Sequence, residues 1–303
     1  MSIKDVTFYS NGFKLSGTLH IPEEIVTPKP AVILCYGFAD FKDAPWAYAF
    51  CDRLKDIGLI SLRFDYRCSG LSEGKRGRLI CSEQVEDIRN AITFLQTLPF
   101  VRQDSIGLIG WSLGGAHVVQ VSAIDKRVKF AVSVAGIGDG ERWLHWCFRE
   151  YKGEEGWSKL LKLIDEDQKR RVVTGESIFL DSHTEIVPSP PKIIEHVRLA
   201  REKFPPPRGP VAQVSIETAE SIINYKPEDF VSLISCPMLL VHGEKDDLVP
   251  WTESLSMFSK AKCPKKLIIL PDADHLLLAD PNEKIFNETV ELILNWIKSI
   301  ILV

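Results

Sequence analysis

The run Gly110-Trp111-Ser112-Leu113-Gly114-Gly115 places a serine between glycines two positions before and two after it, following the apolar stretch 106–109 and preceding the helix-like stretch 116–123. A serine on a sharp strand-to-helix turn takes strained backbone angles and has room only if those flanking positions are nearly free of side chain. Gly110 and Gly114 meet that demand. Such a turn lifts the hydroxyl above the sheet edge and aims the first N–H groups of the helix at the same point, where negative charge is then favoured. This is the local chemistry of a nucleophile that attacks a carbonyl. The competing reading is a glycine-rich turn with an incidental serine, so the remaining residues must decide.

A serine nucleophile needs a base, and the chain has 7 histidines. His20, His117, His145, His183, His196 and His242 fall in strand-like, mid-helix or irregular central stretches, where a hydrogen-bonded structural role is the better reading. His275 instead follows the apolar run 267–270 within Pro271-Asp272-Ala273-Asp274, at the carboxyl end of a late strand, where open parallel sheets carry their sites. The preceding strand end, Val241-His242-Gly243-Glu244-Lys245-Asp246-Asp247, supplies an acid. Asp246 is the choice and Asp247 the alternative, because spacing alone does not say which carboxylate faces the imidazole.

The chain order Ser112, Asp246, His275 resembles that of the α/β-hydrolase superfamily. Gly243-x-x-Asp246-x-x-Val249-Pro250 is similar to its acid loop, and Asp65-x-Arg67-x-x-Gly70-x-Ser72 to a second stretch of that superfamily. The elbow and the long segment after the sixth strand look closest to serine esterases and dipeptidyl-peptidase-like hydrolases. The resemblance implies an oxyanion hole from the backbone N–H groups of Phe38 and Leu113, with Tyr36-Gly37-Phe38 standing where the family has His-Gly-Phe. A backbone donor does not require histidine at position 36. Tyr36 either braces that loop or reaches into the pocket to touch substrate.

These residues need a scaffold, and the chain reads as one. Residues 4–21 alternate in polarity around Asn11-Gly12, a hairpin signature. Short apolar runs at 31–35, 59–64, 106–109, 130–134, 238–241 and 267–270 then alternate with helix-length amphipathic stretches. That rhythm predicts a mostly parallel sheet with helices on both faces, the α/β-hydrolase fold. It lapses between Gly136 and Pro237, where helix-like stretches occupy 157–171, 192–204 and 211–224. The expected organisation is a core of 1–136 and 237–303 with a helical cap of 137–236. At the cap's opening, Trp143 and Trp146 could wall a substrate pocket, although aromatic residues at such spacing more often pack a helix onto the core.

With 37 basic and 41 acidic residues, the net charge of -4 offers no field for a nucleic acid. The 7 cysteines are scattered, odd in number and free of any Cys-x-x-Cys pair, as expected of reduced thiols. No stretch has the length of a membrane span and the N-terminus lacks a signal-peptide pattern, so a cytoplasmic protein is expected. No zinc, Walker or dinucleotide motif is present, so neither metal nor cofactor is expected. Serine at the elbow sets the chain apart from haloalkane and epoxide hydrolases, which carry aspartate there. The expected activity is hydrolysis of a small-molecule carboxylic ester or thioester through an acyl-Ser112 intermediate, with amidase, peptidase or acyltransferase chemistry as alternatives and a non-enzymatic binding module as the rival class. Nothing in the sequence bears on a homo-oligomer.

Overall fold

The computed structural model describes residues 2–301. Strands β1 (Ser2–Ser10) and β2 (Phe13–Ile21) pair antiparallel, and the turn between them places Asn11 and Gly12 at φ 47° and 85°. Both angles lie in the region that asparagine and glycine tolerate best, which is why this dipeptide makes a two-residue hairpin. Strands β3 (Lys29–Cys35), β4 (Ile60–Phe64), β5 (Val101–Trp111) and β6 (Val128–Val134) follow, separated by helices α1 (Pro45–Asp56), α2 (Cys81–Gln96) and α3 (Leu113–Ile124).

Beyond β6 the chain forms α4 (Gly140–Tyr151), α5 (Gly153–Thr174), β7 (Phe179–Asp181), α6 (Pro191–Lys203), β8 (Gln213–Ser215) and α7 (Ile216–Ile223). It then returns to the sheet as β9 (Met238–Gly243), α8 (Thr252–Lys260), β10 (Lys265–Leu270) and α9 (Lys284–Ile301). The 8-stranded sheet has the order β1-β2-β4-β3-β5-β6-β9-β10, with β1, β2 and β4 paired antiparallel and every other pairing parallel. This is the α/β-hydrolase fold, and each apolar run of the sequence coincides with one of its strands, the run at 59–64 starting one residue before β4. Strands β3, β4 and β6 are buried almost throughout, as a sheet covered by helices on both faces requires.

The region between β6 and β9 departs from the sequence reading in one respect. A helix was expected over 211–224, but only Ile216–Ile223 is helical, and Gln213–Ser215 pairs with Phe179–Asp181 as a two-stranded ribbon. Three-residue strands span too little chain to leave an alternating pattern, so the register with a partner some thirty residues away decides their state. No helix among the described residues is long and apolar enough to cross a membrane.

Candidate active site

Ser112 sits between the end of β5 and the start of α3 with φ 58° and ψ -124°, a strained combination for a residue with a side chain. Its neighbours explain how the turn is tolerated. A Cβ on Gly110 would lie 2.1 Å from the carbonyl oxygen of Gly114, and a Cβ on Gly114 would lie 2.2 Å from that of Cys35. Backbone therefore meets backbone on both sides of the serine, and no side chain fits at either position.

Two loops at the carboxyl ends of β9 and β10 bring Asp246 and His275 to this turn. They are joined by Lys245 N–H donating to the Ala273 carbonyl at 2.8 Å and Glu244 N–H to that of Leu270 at 3.0 Å. His275 Nε2 lies 3.1 Å from Ser112 Oγ, and His275 Nδ1 lies 2.7 Å from Asp246 Oδ2. The other oxygen of Asp246 accepts the N–H groups of Leu248 at 3.0 Å and Val249 at 2.7 Å. Burial alone would push this carboxyl up, but the adjacent His275 and His242 outweigh it and hold Asp246 well below the usual carboxylate range. An ionised Asp246 accepts from Nδ1–H, which leaves the Nε2 lone pair turned to the Ser112 hydroxyl. Asp247 is exposed and its backbone carbonyl accepts from the Tyr151 hydroxyl, so of the two acids it is the Asp246 carboxylate that the structure brings to His275.

His242 contributes support that the sequence did not reveal. Its Nε2–H donates to the Val249 carbonyl at 2.8 Å and lies 3.2 Å from Asp246 Oδ2, while Ser254 Oγ sits 2.7 Å from Nδ1. One ring nitrogen faces the loop that carries Asp246 and the other faces Ser254 on α8, so His242 ties that loop to the helix that follows it. A histidine directly before Gly243 was the only trace of this in the sequence.

The loop after β3 passes over the serine so closely that a Cβ on Gly37 would stand 3.1 Å from Ser112 Cβ. Phe38 N–H, on that loop, donates to no backbone carbonyl among the described residues, and Leu113 N–H opens α3, where helix geometry provides no partner. Tyr36 does not reach the pocket, which corrects one of the two readings of this residue. Its hydroxyl accepts from Tyr66 N–H at 2.8 Å and bonds Ser69 Oγ at 2.7 Å, tying the end of β3 to the loop after β4. The Asp65–Ser72 stretch is thus the other half of a brace. Asp65 Oδ1 and Oδ2 accept the N–H groups of Lys42 and Leu71, each at 2.9 Å.

A cavity of about 480 Å³ opens over Ser112 and His275. Its wall is largely apolar and includes Phe38, Trp46, Trp111, Trp143, Ile193 and Phe204. Trp143 is 1% exposed, lines this cavity and donates its Nε1–H to the Leu248 carbonyl at 2.9 Å, two residues from Asp246. Trp146 is not part of the wall. It is half-buried against Tyr151, with ring centroids 6.2 Å apart, because its position on α4 turns it away from the opening that Trp143 faces. His183, His196 and Asp40 also line the cavity, and none of them stood out in the sequence as a pocket residue. Burial pushes the Asp40 carboxyl up to about 6, even though Trp46 Nε1–H donates to it at 3.0 Å.

The segment between β6 and β9 holds the site from above. Val211 N–H donates to the Ala39 carbonyl at 2.8 Å, the Tyr151 hydroxyl donates to the Asp247 carbonyl, and Lys192 pairs with Asp274. It therefore reaches the loops that carry Phe38, Asp246 and His275.

Fold and site together define a class. A sequence profile described as the alpha/beta hydrolase family matches residues 35–288, and the chain belongs to that family. Among curated relatives, a polyketide transferase, GrgF, of Penicillium sp. is 28% identical over 253 residues, covering 82% of this chain and 81% of its own. A thiohydrolase, AneE, of Aspergillus aculeatus is 25% identical over 300 residues, covering 93% of this chain and 90% of its own. The crystal structure of GrgF from Penicillium sp. sh18 superposes with a TM-score of 0.82 at 25% identity, with all of both chains covered. Family and relatives together support an enzyme with a hydrolase or acyl-transfer activity.

Proposed function

We propose that this chain is a serine hydrolase that cleaves a carboxylic ester or thioester of a small molecule through an acyl-Ser112 intermediate. The observation that carries the reading is the unbroken line from Ser112 Oγ through His275 to Asp246, at 3.1 and 2.7 Å. The Ser112 oxygen attacks the substrate carbonyl as His275 Nε2 takes its proton. The developing oxyanion is held by Phe38 and Leu113 N–H, the C–O or C–S bond breaks, and the imidazolium returns its proton to the departing alcohol or thiol. Water then adds to the acyl group with His275 again as base, and the free acid leaves with Ser112 restored. Residues 137–236 act as the cap that walls the acyl pocket and excludes bulk water during these steps.

Acyl transfer to an alcohol, amine or thiol is the second reading. It is favoured by the likeness to a protein named a polyketide transferase and by the mainly apolar cavity. The deciding experiment is fluorophosphonate labelling of wild type and Ser112→Ala, followed by turnover of matched esters, thioesters and anilides with and without an added acyl acceptor. Labelling confined to the wild type with release of free acid supports the first reading. Capture of the acyl group by the acceptor in preference to water supports the second, and an unlabelled wild type defeats both.

A further inference from the structure

His183 stands apart from the other polar groups around the cavity. It is 7% exposed and lies in the single turn Ser182–Ile186 that follows β7, where Asp181 caps the His183 and Thr184 N–H groups. Its ring is tilted against that of Phe38, with centroids 5.4 Å apart, so it packs on the residue that carries an oxyanion donor. Nδ1 lies 2.8 Å from Ser182 Oγ, whereas Nε2 bonds no group among the described residues and is not fully buried, so it is open to the cavity that His183 lines. A ring nitrogen that opens onto a binding cavity and bonds no protein group is available to whatever enters the cavity.

The network around Ser182 fixes which kind of partner that is. Ser182 Oγ accepts from Arg201 Nη2 at 2.7 Å and lies 3.0 Å from the Val211 carbonyl. Val211 is buried, and the Ser182 hydroxyl is the one donor to its carbonyl among the described residues. The single hydroxyl proton of Ser182 therefore goes to Val211, and the proton between Ser182 and His183 must come from Nδ1. Nε2 then carries a lone pair, and the ring stays neutral because burial, aided by the Arg201 charge, pushes His183 down to about 3. So weakly basic a ring is poorly suited to proton abstraction but well suited to accepting a hydrogen bond at any ordinary pH.

We propose that His183 is a specificity-determining residue whose Nε2 accepts a hydrogen bond from a hydroxyl or N–H on the substrate, so that the preferred esters or thioesters carry such a donor close to the scissile carbonyl. The inference rests on the serine-hydrolase reading and narrows its substrate class. The rest of the wall is mostly apolar, so the substrate combines a hydrocarbon portion with one polar donor.

The test compares thioesters and esters of equal length, with the hydroxyl placed at successive acyl positions or on the alcohol portion, against their deoxy analogues. It uses wild type, His183→Leu and His183→Gln, with fluorophosphonate labelling of Ser112 as the control for a folded, reactive site. Wild type should favour at least one hydroxylated substrate by about tenfold or more in kcat/KM, mainly through KM. His183→Leu should lose that preference, so that hydroxylated and deoxy substrates turn over with nearly equal kcat/KM, and His183→Gln, whose amide oxygen can accept in place of Nε2, should recover part of it. A wild type indifferent to every hydroxyl position overturns the proposal, as does a preference that survives in His183→Leu. Should His183→Leu fail to fold, His183→Met takes its place, with the same loss of preference expected and the same survival of preference overturning the proposal. Loss of Ser112 labelling in wild type would instead defeat the underlying hydrolase reading.

Discussion

Ser112, His275 and Asp246 act as one chain of hydrogen bonds, so their removal should not be additive. Ser112→Ala and His275→Ala are each expected to lower kcat by roughly three or more orders of magnitude, with the double variant little worse than either. Steady-state kinetics on a folded Ser112→Ala protein that kept near-wild-type turnover would remove Ser112 from the mechanism. The acid loop gives a second residue-scale prediction. Asp246→Asn replaces an oxygen that accepts from His275 or from two backbone N–H groups, which favours the wrong imidazole tautomer. Its kcat should fall by orders of magnitude, whereas Asp247→Asn, altering an exposed side chain, should change kcat by less than about threefold. Equal losses in the two variants would contradict the arrangement.

At the scale of elements, α4 matters because one face of it anchors the acid loop and the other does not. Trp143→Ala should both enlarge the cavity and leave the Leu248 carbonyl without its indole donor. The expected result is a changed KM and a reordered preference among acyl chain lengths, at about 0.8 kcal/mol for each methylene gained or lost in contact. Trp146→Ala should lower Tm and leave the order of preference unchanged, since Trp146 packs on Tyr151 outside the cavity. A chain-length profile that moved equally in both variants would mean that α4 holds the cap together without shaping the pocket. The loop after β3 shows the same division of labour. Tyr36 spends its hydroxyl on Ser69 and Tyr66, and the insertion reaches the loop through Val211 and Ala39, leaving Phe38 N–H free to act.

Across the whole molecule, buried neutral histidines link stability to pH. His117 is buried on α3, the helix that follows Ser112, with Nε2 2.8 Å from Gln84 Oε1 and Nδ1 3.0 Å from the Tyr225 hydroxyl, and burial pushes it down to about 3 from 6.5. Between those values the unfolded chain holds a proton on this residue that the folded chain does not. Its contribution is therefore complete above about 6.5 and is lost as pH falls toward about 3, at about 1.4 kcal/mol per unit once well below the upper value. Asp40 and Asp65 run the other way, because burial raises both from 3.8 to about 6 and the folded chain holds their protons longer. Their contribution is present at low pH and lost as pH rises through about 6. The clean measurement is thus a difference: relative to wild type, His117→Gln should lose about 2 kcal/mol less stability between pH 7 and pH 5 in urea unfolding. Parallel pH profiles would show that His117 is protonated in the folded protein.

Some of this was already determined by the order of residues along the chain. The elbow glycines and the apolar runs that become β3 to β6, β9 and β10 are local or one-dimensional features that the structure keeps, and the chain order Ser112, Asp246, His275 is another, whose three side chains the structure brings together. Steric limits at a turn and burial on both faces of a sheet leave direct marks on composition and spacing. The facing of side chains from distant segments leaves none. Whether Asp246 or Asp247 meets His275, whether Tyr36 braces or probes, which tryptophan of α4 reaches the cavity, and that His183 stands in its wall were decided only by tertiary structure. The two three-residue strands of the insertion belong with these, since each is held by a partner and not by its own periodicity. Contacts between residues far apart in sequence depend on the angle at which whole elements pack, and a rotation of a few tens of degrees about a helix axis exchanges Trp143 for Trp146 without altering the pattern that formed the helix.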